Sequence, residues 1–207
     1  MKKYLPALLF WGAVWGICEA TIGYALHFAA VALPGLPGAL MFPVGFFCMR
    51  KAQRATGKAA APLYIAMIAA GIKLVDFLIP GYDAIRVVNP ALSILLEGLA
   101  VTAVCALFRA PGNVPGYWQA LGMGVLWRSL FSGYLYLISL FHLPAALVTS
   151  GALTLLRFVL LESFFNSLII CLGLRLELKF PPRKPWEIRP AVAWMLCLFA
   201  VCLEVLL

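Results

Sequence analysis

The sequence predicts an all-α fold, a polytopic membrane helix bundle of six to seven transmembrane helices with its N-terminus in the cytoplasm. Three observations carry this. Of 207 residues, 64% are hydrophobic and mean hydropathy is +1.00. Only 12% are charged, well below the ~25% usual in soluble domains. The basic residues also sort by loop, as shown below. This composition excludes a soluble enzyme, a nucleic-acid-binding domain and a disordered regulator, although the net charge of +8 at first suggests a nucleic-acid partner. A span takes about 20 apolar residues, so the chain reads as a single integral membrane domain, 1–207, with no room for an extramembrane one.

The first span, 4–31, follows Lys2 and Lys3. It has the basic start and apolar run of a signal peptide, but Ile17, Cys18 and Glu19 make a poor cleavage site and the apolar run continues beyond them, so it reads as a retained helix. Pro34, Gly35, Pro37 and Gly38 then break the chain before a short second span, 38–50, that carries Pro43. The remaining spans are predicted at 61–79, 90–108, 118–140, 151–174 and 191–207. Asn89 before Pro90 reads as an N-cap followed by proline in the first turn, and Ser150 as the cap of the sixth span.

Short cytoplasmic loops hold the excess of Lys and Arg. With seven spans and the N-terminus inside, 12 of the 16 basic residues fall in inner loops, Arg86 alone lies outside, and three lie within spans. If the short second segment did not cross, the cluster Arg50 to Lys58 would face outward against the rule. The positive charge thus reports topology and contact with anionic headgroups. The expected location is the plasma membrane, the inner membrane of a prokaryotic cell, as a multi-pass protein.

Seven ionisable residues fall within predicted spans: Glu19, Lys73, Asp76, Glu97, Arg128, Arg157 and Glu162. Each costs about 2.5–3.5 kcal/mol at a helix centre, so they should pair, face the bundle interior or line a wet cavity. They can be ion pairs that fix helix order, or the wall of a pocket for a solute. Asn89, Ser93 and Glu97 recur at i, i+4, i+8 and make one polar stripe. Lys73 and Asp76 can pair at i, i+3, and Gly124, Arg128 and Ser132 line one side of the fifth span. Glu162 and Asn166 share a face of the sixth span from which Arg157 points away. Depth places Glu19, Lys73, Asp76, Glu97 and Arg157 in the outer half or near the midplane, with Arg128 and Glu162 near the midplane. The pocket would open outward, with Tyr82, Asp83, Arg86 and the 141–149 loop as candidate lids.

In the first span Gly12, Gly16, Ala20 and Gly23 form a small-residue seam broken by Glu19. Such a seam lets another backbone approach closely, either within the chain or on another membrane subunit. His27 and His142, both predicted at the outer face, are the weak candidates for a metal or haem ligand; otherwise they are interfacial residues. Six cysteines without a C-x-x-C pair argue against a disulfide framework. Cys48, Cys105 and Cys171 share a predicted depth that allows a thiolate site or simple packing. No P-loop, H-E-x-x-H, G-x-S-x-G or C-x-x-C-H motif is present, so no cofactor and no catalytic residue is expected.

A small basic-flanked protein of six or so helices, with the small-residue seam in its first helix, a Pro-broken second segment and an outward polar pocket, resembles the substrate-binding S component of energy-coupling factor uptake transporters. The resemblance implies a first helix that docks on a shared transmembrane subunit coupled to two ATPases, and a vitamin or metal bound near the outer face. Two features depart from that pattern: Glu19 interrupts the seam and a seventh helix follows the usual six. The chain also begins Met1, Lys2, Lys3, without the Met-His start of the nickel and cobalt binders, which favours an organic solute.

The expected function is therefore a membrane-embedded, solute-binding subunit for uptake of a vitamin-like or other small polar metabolite. Substrate-binding candidates are Glu19, Lys73, Asp76, Asn89, Ser93, Glu97, Arg128, Arg157, Glu162 and Asn166. Arg128, Arg157 and Lys73 would hold acidic groups of the solute, and Glu19, Glu97 and Glu162 its basic or hydroxyl groups. Other readings are the anchor of a redox complex binding haem or quinone, an intramembrane enzyme using buried carboxylates, and an assembly subunit.

Overall fold

The computed structural model describes residues 3–29, 36–81, 83–108, 115–179 and 188–206. Every regular element among them is helical. Helix α1 runs Leu5–Cys18, widens into a π-helical turn at Glu19–Gly23 and resumes as Tyr24–Ala29. Helix α2 is Leu36–Thr56, and α3 is Ala61–Lys73 continued by a 3-10 turn, Leu74–Leu78. Helices α4 (Ala84–Phe108) and α5 (Tyr117–Ser139) precede a short α6 (Ala146–Thr149). Helix α7 runs Ala152–Leu156, a π-helical turn at Arg157–Leu161 and Glu162–Lys179, and α8 is Pro190–Leu206.

Several ends follow from local chemistry. Proline stands in the first turn of α1 and α3 and opens α8, where a missing N–H costs nothing. Gly57, at φ 67°, closes α2 by donating its N–H to the Gln53 carbonyl, a left-handed cap that only glycine takes without strain. The Gln119 side chain reaches back to accept the N–H of Gly116 at the start of α5.

Three predicted boundaries are corrected. The second helix extends through Thr56, beyond the predicted 38–50, because the apolar run ends where the helix does not: Arg50, Lys51 and Arg54 occupy its last turns. Asn89 is no N-cap. Asp83 accepts the Ile85 N–H and the helix starts at Ala84, which places Pro90 inside α4 and deprives the Arg86 carbonyl of its helical donor. Ser150 does not cap the sixth span either; Gly151, at φ 106°, is the cap residue, and Ser150 ends α6.

Five helical stretches are long and apolar enough to cross a membrane: Leu5–Leu26, Ala61–Leu78, Ala84–Phe108, Tyr117–Ser139 and Ala152–Lys179. Helix α8 is apolar but shorter, and the basic turns of α2 lower its mean hydropathy. Exposure is inverted relative to a soluble protein. Leu107 and Leu153 are 75% and 82% exposed, whereas Arg128 is wholly enclosed. Such a surface suits lipid, with polar groups satisfied inside.

The helices form a ring in which α1 packs on α3, α3 on α4, α4 on α5, α5 on α7, α7 on α2 and α2 back on α1. Helix α2 also touches α3 and α4, and α8 lies outside the ring against α1 and α3. Trp15, Phe42, Met49, Ile65, Ile94 and Met123 fill the centre. Gly45 admits the Trp15 ring, since a Cβ there would lie 2.6 Å from the indole.

Pro43 explains a second-order feature of this core. It cannot donate to the Ala39 carbonyl one turn back, and Asn166 of α7 supplies the missing donor through Nδ2. The break in the α2 ladder is thereby repaired from a neighbouring helix, as membrane helices require.

Candidate functional site

The charged residues fall into three groups. The first lies where the C-terminal parts of α1, α3 and α8 meet the start of α4. Lys73 Nζ is 2.8 Å from Asp76 Oδ2 and 2.5 Å from Glu204 Oε1. Asp76 sits in the 3-10 turn that ends α3, one turn past Lys73, which gives the i, i+3 spacing. In α1, Glu19 Oε1 accepts the Trp15 Nε1 hydrogen at 3.1 Å, and Glu19 opens the π-helical turn. Glu19, Lys73, Asp76 and Glu204 all face a cavity of about 450 Å³. Tyr24 of α1 and Arg86 and Asn89 of α4 complete its polar wall. That volume lies within the range of small-molecule sites. Asp76 is 1% exposed, and its Oδ1 has no hydrogen-bond partner among the described residues.

The second group is enclosed by α2, α5 and α7. Arg128 Nη2 donates to Asn166 Oδ1 at 2.6 Å and to the Gly38 carbonyl at 3.1 Å, while Nη1 donates to Ser163 Oγ at 3.3 Å. Glu162 Oε2 lies 3.6 Å from Nη2, and the guanidinium rests over the rings of Trp127 and Phe158 at 4.5 and 5.3 Å. Gly124, one turn from Arg128, meets Ser163 closely and brings α5 against α7.

The third group joins α2 to α7 at their C-terminal ends. Glu177 receives Arg50 at 2.9 Å, Lys51 at 2.7 Å and Arg54 at 2.5 Å. Near the N-terminal end of α1, Lys58 stands 5.2 Å over the Tyr4 ring.

The predicted site residues separate accordingly. Glu19, Lys73, Asp76 and Asn89 share the cavity, where Asn89 also accepts the Tyr134 hydroxyl at 2.9 Å. Ser93 bonds the Pro90 carbonyl of its own helix and is not among the residues of that wall. Arg128, Glu162 and Asn166 belong to the enclosed group. Glu97 is buried, with Oε2 unpartnered among the described residues, and its charge couples to both Glu19 and Arg128. Arg157 is exposed and joins neither group. The π-helical turn that it opens adds residues between it and Glu162 and leaves Glu162 inward.

Sequence reasoning missed Glu204, which was placed at the outer face and is instead 5% exposed against Lys73. The signal available was a carboxylate in an otherwise apolar helix. It also treated Arg86 as part of a loop, whereas Arg86 lies in α4 and lines the cavity. The seam of α1 is filled from within. A Cβ on Gly12 would lie 2.7 Å from Ile68, and one on Gly16 2.8 Å from Ile72, both on α3. Ala20 and Gly23 are buried and contribute to the cavity wall. Of the two readings of the seam, the geometry is that of internal packing, and Gly12 and Gly16 offer no open face to another subunit.

The His27 side chain and Tyr82 lie outside the described residues; His142 is exposed, at φ 58°. Among the described residues no group of three or more His, Cys, Asp or Glu side chains is placed to hold a metal ion. Comparison with known proteins finds no matching family model, no matching curated protein and no matching solved structure.

Proposed function

We propose that the protein is a solute-binding membrane subunit that captures a small polar metabolite in the cavity between α1, α3, α4 and α8. The observation that carries this reading is a cavity of about 450 Å³ walled by three carboxylates, a lysine and an arginine in a chain with 12% charged residues. Charges placed in membrane helices at such cost mark solute pathways and sites. The lipid-facing exterior leaves few other places for chemistry.

The orientation read from the sequence supports an outward-facing cavity. Counting α1, α2, α3, α4, α5, α7 and α8 as seven passes, with the N-terminus inside, puts the ends that carry Glu19, Asp76, Arg86 and Glu204 on the outer side. The same count puts Arg50, Lys51, Arg54 and Lys58 inside, in keeping with the distribution of basic residues. A plasma-membrane location and a coupling partner with ATPase subunits, as in the energy-coupling factor transporters that the chain resembles, belong to this proposal. If such a partner docks, it uses a face other than the one Gly12 and Gly16 occupy with α3.

Mass spectrometry of small molecules that co-purify with the protein tests the reading. A solute retained by the wild type and lost from Glu19→Gln and Asp76→Asn is the expected result. Purified wild-type protein that carries no solute, and takes none from a metabolite extract, overturns it.

A further inference from the structure

The balance of partners around the cavity says more about the solute than its volume does. Three basic residues were expected to receive acidic groups of a solute. Arg128 is enclosed by Gly38, Ser163, Asn166 and Glu162. Arg157 is exposed and does not line the cavity. Lys73 does line it, but its ammonium is held between Asp76 and Glu204. The deep part of the wall thus offers no unshared cation.

It does offer acceptors. Asp76 gives Oδ2 to Lys73 and keeps Oδ1 buried without a hydrogen-bond partner among the described residues. Glu19 gives Oε1 to Trp15. Its Oε2 lies toward Gly23, where a Cβ would stand 3.1 Å from it, and Glu19 and Gly23 share the cavity wall. A buried acceptor without a donor costs about 1–3 kcal/mol, so a ligand that brings N–H groups to this wall recovers what the fold has given up.

Resting on the solute-binding reading, we infer that the solute carries a protonated amine, which Glu19 and Asp76 receive through Glu19 Oε2 and Asp76 Oδ1. Arg86, exposed at the rim, is left for an acceptor at the other end of the molecule. The class is a small organic ammonium compound, including amino acids and related zwitterions, and excludes dicarboxylates.

Four probes of equal carbon length decide the point: 1,4-diaminobutane, 4-aminobutanoate, butane-1,4-diol and succinate, titrated onto the full chain in lipid nanodiscs by calorimetry. The two ammonium compounds are expected to bind at least tenfold more tightly than the diol and succinate. Glu19→Gln should weaken them about tenfold at an unchanged melting temperature, because the glutamine carbonyl still accepts the Trp15 N–H. Arg86→Gln should weaken 4-aminobutanoate and spare the diamine. Succinate or the diol binding as tightly as the diamine overturns the inference while leaving a solute site in place. Failure of all four probes overturns the inference, and joined to a wild type that purifies without solute it removes the functional reading as well.

Discussion

The Arg128 cluster and the Lys73 cavity are built from the same materials, one basic side chain among carboxylates inside an apolar bundle, and they end up in opposite states. Around Arg128 three helices converge, and four of its own chain's residues receive the guanidinium. Around Lys73 the helices diverge, and carboxylate oxygens face a cavity. The first arrangement welds α2, α5 and α7. The second can serve a visitor. The number of buried charges therefore does not locate a binding site; the direction in which their remaining hydrogen-bonding capacity points does.

The sharpest way to break the comparison is Arg128→Met. If the cluster is a weld, leaving Glu162 buried and alone costs about 3–5 kcal/mol, seen as a large fall in melting temperature in detergent. Adding Glu162→Gln should restore much of it. A single variant that folds normally but loses solute would move Arg128 into the binding site.

The next effect concerns α2. Asn166→Leu removes a bond to Arg128 and the donor that serves the Ala39 carbonyl, for about 2–4 kcal/mol in thermal unfolding. Pro43→Ala supplies an N–H for that carbonyl from within α2. It should therefore recover about 1 kcal/mol in the double variant and less in the wild-type background. Equal effects in both backgrounds would show that Asn166 does not repair the proline break.

Glu177→Gln tests the opposite end of the bundle. Its three cationic partners lie near solvent, with Lys51 and Arg54 side chains 34% and 37% exposed. The loss should be about 1 kcal/mol and shrink as salt is raised. Smallest of all, Arg157→Gln should leave both the melting temperature and solute retention unchanged, and a loss of retention would return Arg157 to the site.

Much of this was legible before any coordinates. Composition fixed the membrane class, because burying 64% hydrophobic residues in water-facing form is not feasible for so short a chain. The i, i+3 spacing of Lys73 and Asp76 gave their pairing, and Glu162 and Asn166 were placed together by their common face. What the sequence withheld has physical causes. The partnership of Lys73 with Glu204 spans 131 positions, and no local period reports a contact between distant helices. Asn89 looked like a cap because Asn-Pro is a frequent helix start, but Asp83 had already supplied one. Arg157 and Glu162 resisted assignment because angular reckoning at 3.6 residues per turn fails across a π-helical turn.

The widened turn at Glu19–Gly23 also sets how this protein tolerates a change in length. A π-helical turn carries one residue more than the ordinary repeat needs, so deleting a single residue there would let α1 close into an uninterrupted α-helix. Everything beyond would then rotate by about 100° about the helix axis, swinging Tyr24 away from Asp76 and Asn89 while the segment Leu5–Cys18 stays seated on α3. The first helix thus has an adjustable joint between a fixed half and a half that shapes the cavity, and shortening it by one residue would re-aim the wall without unfolding the bundle.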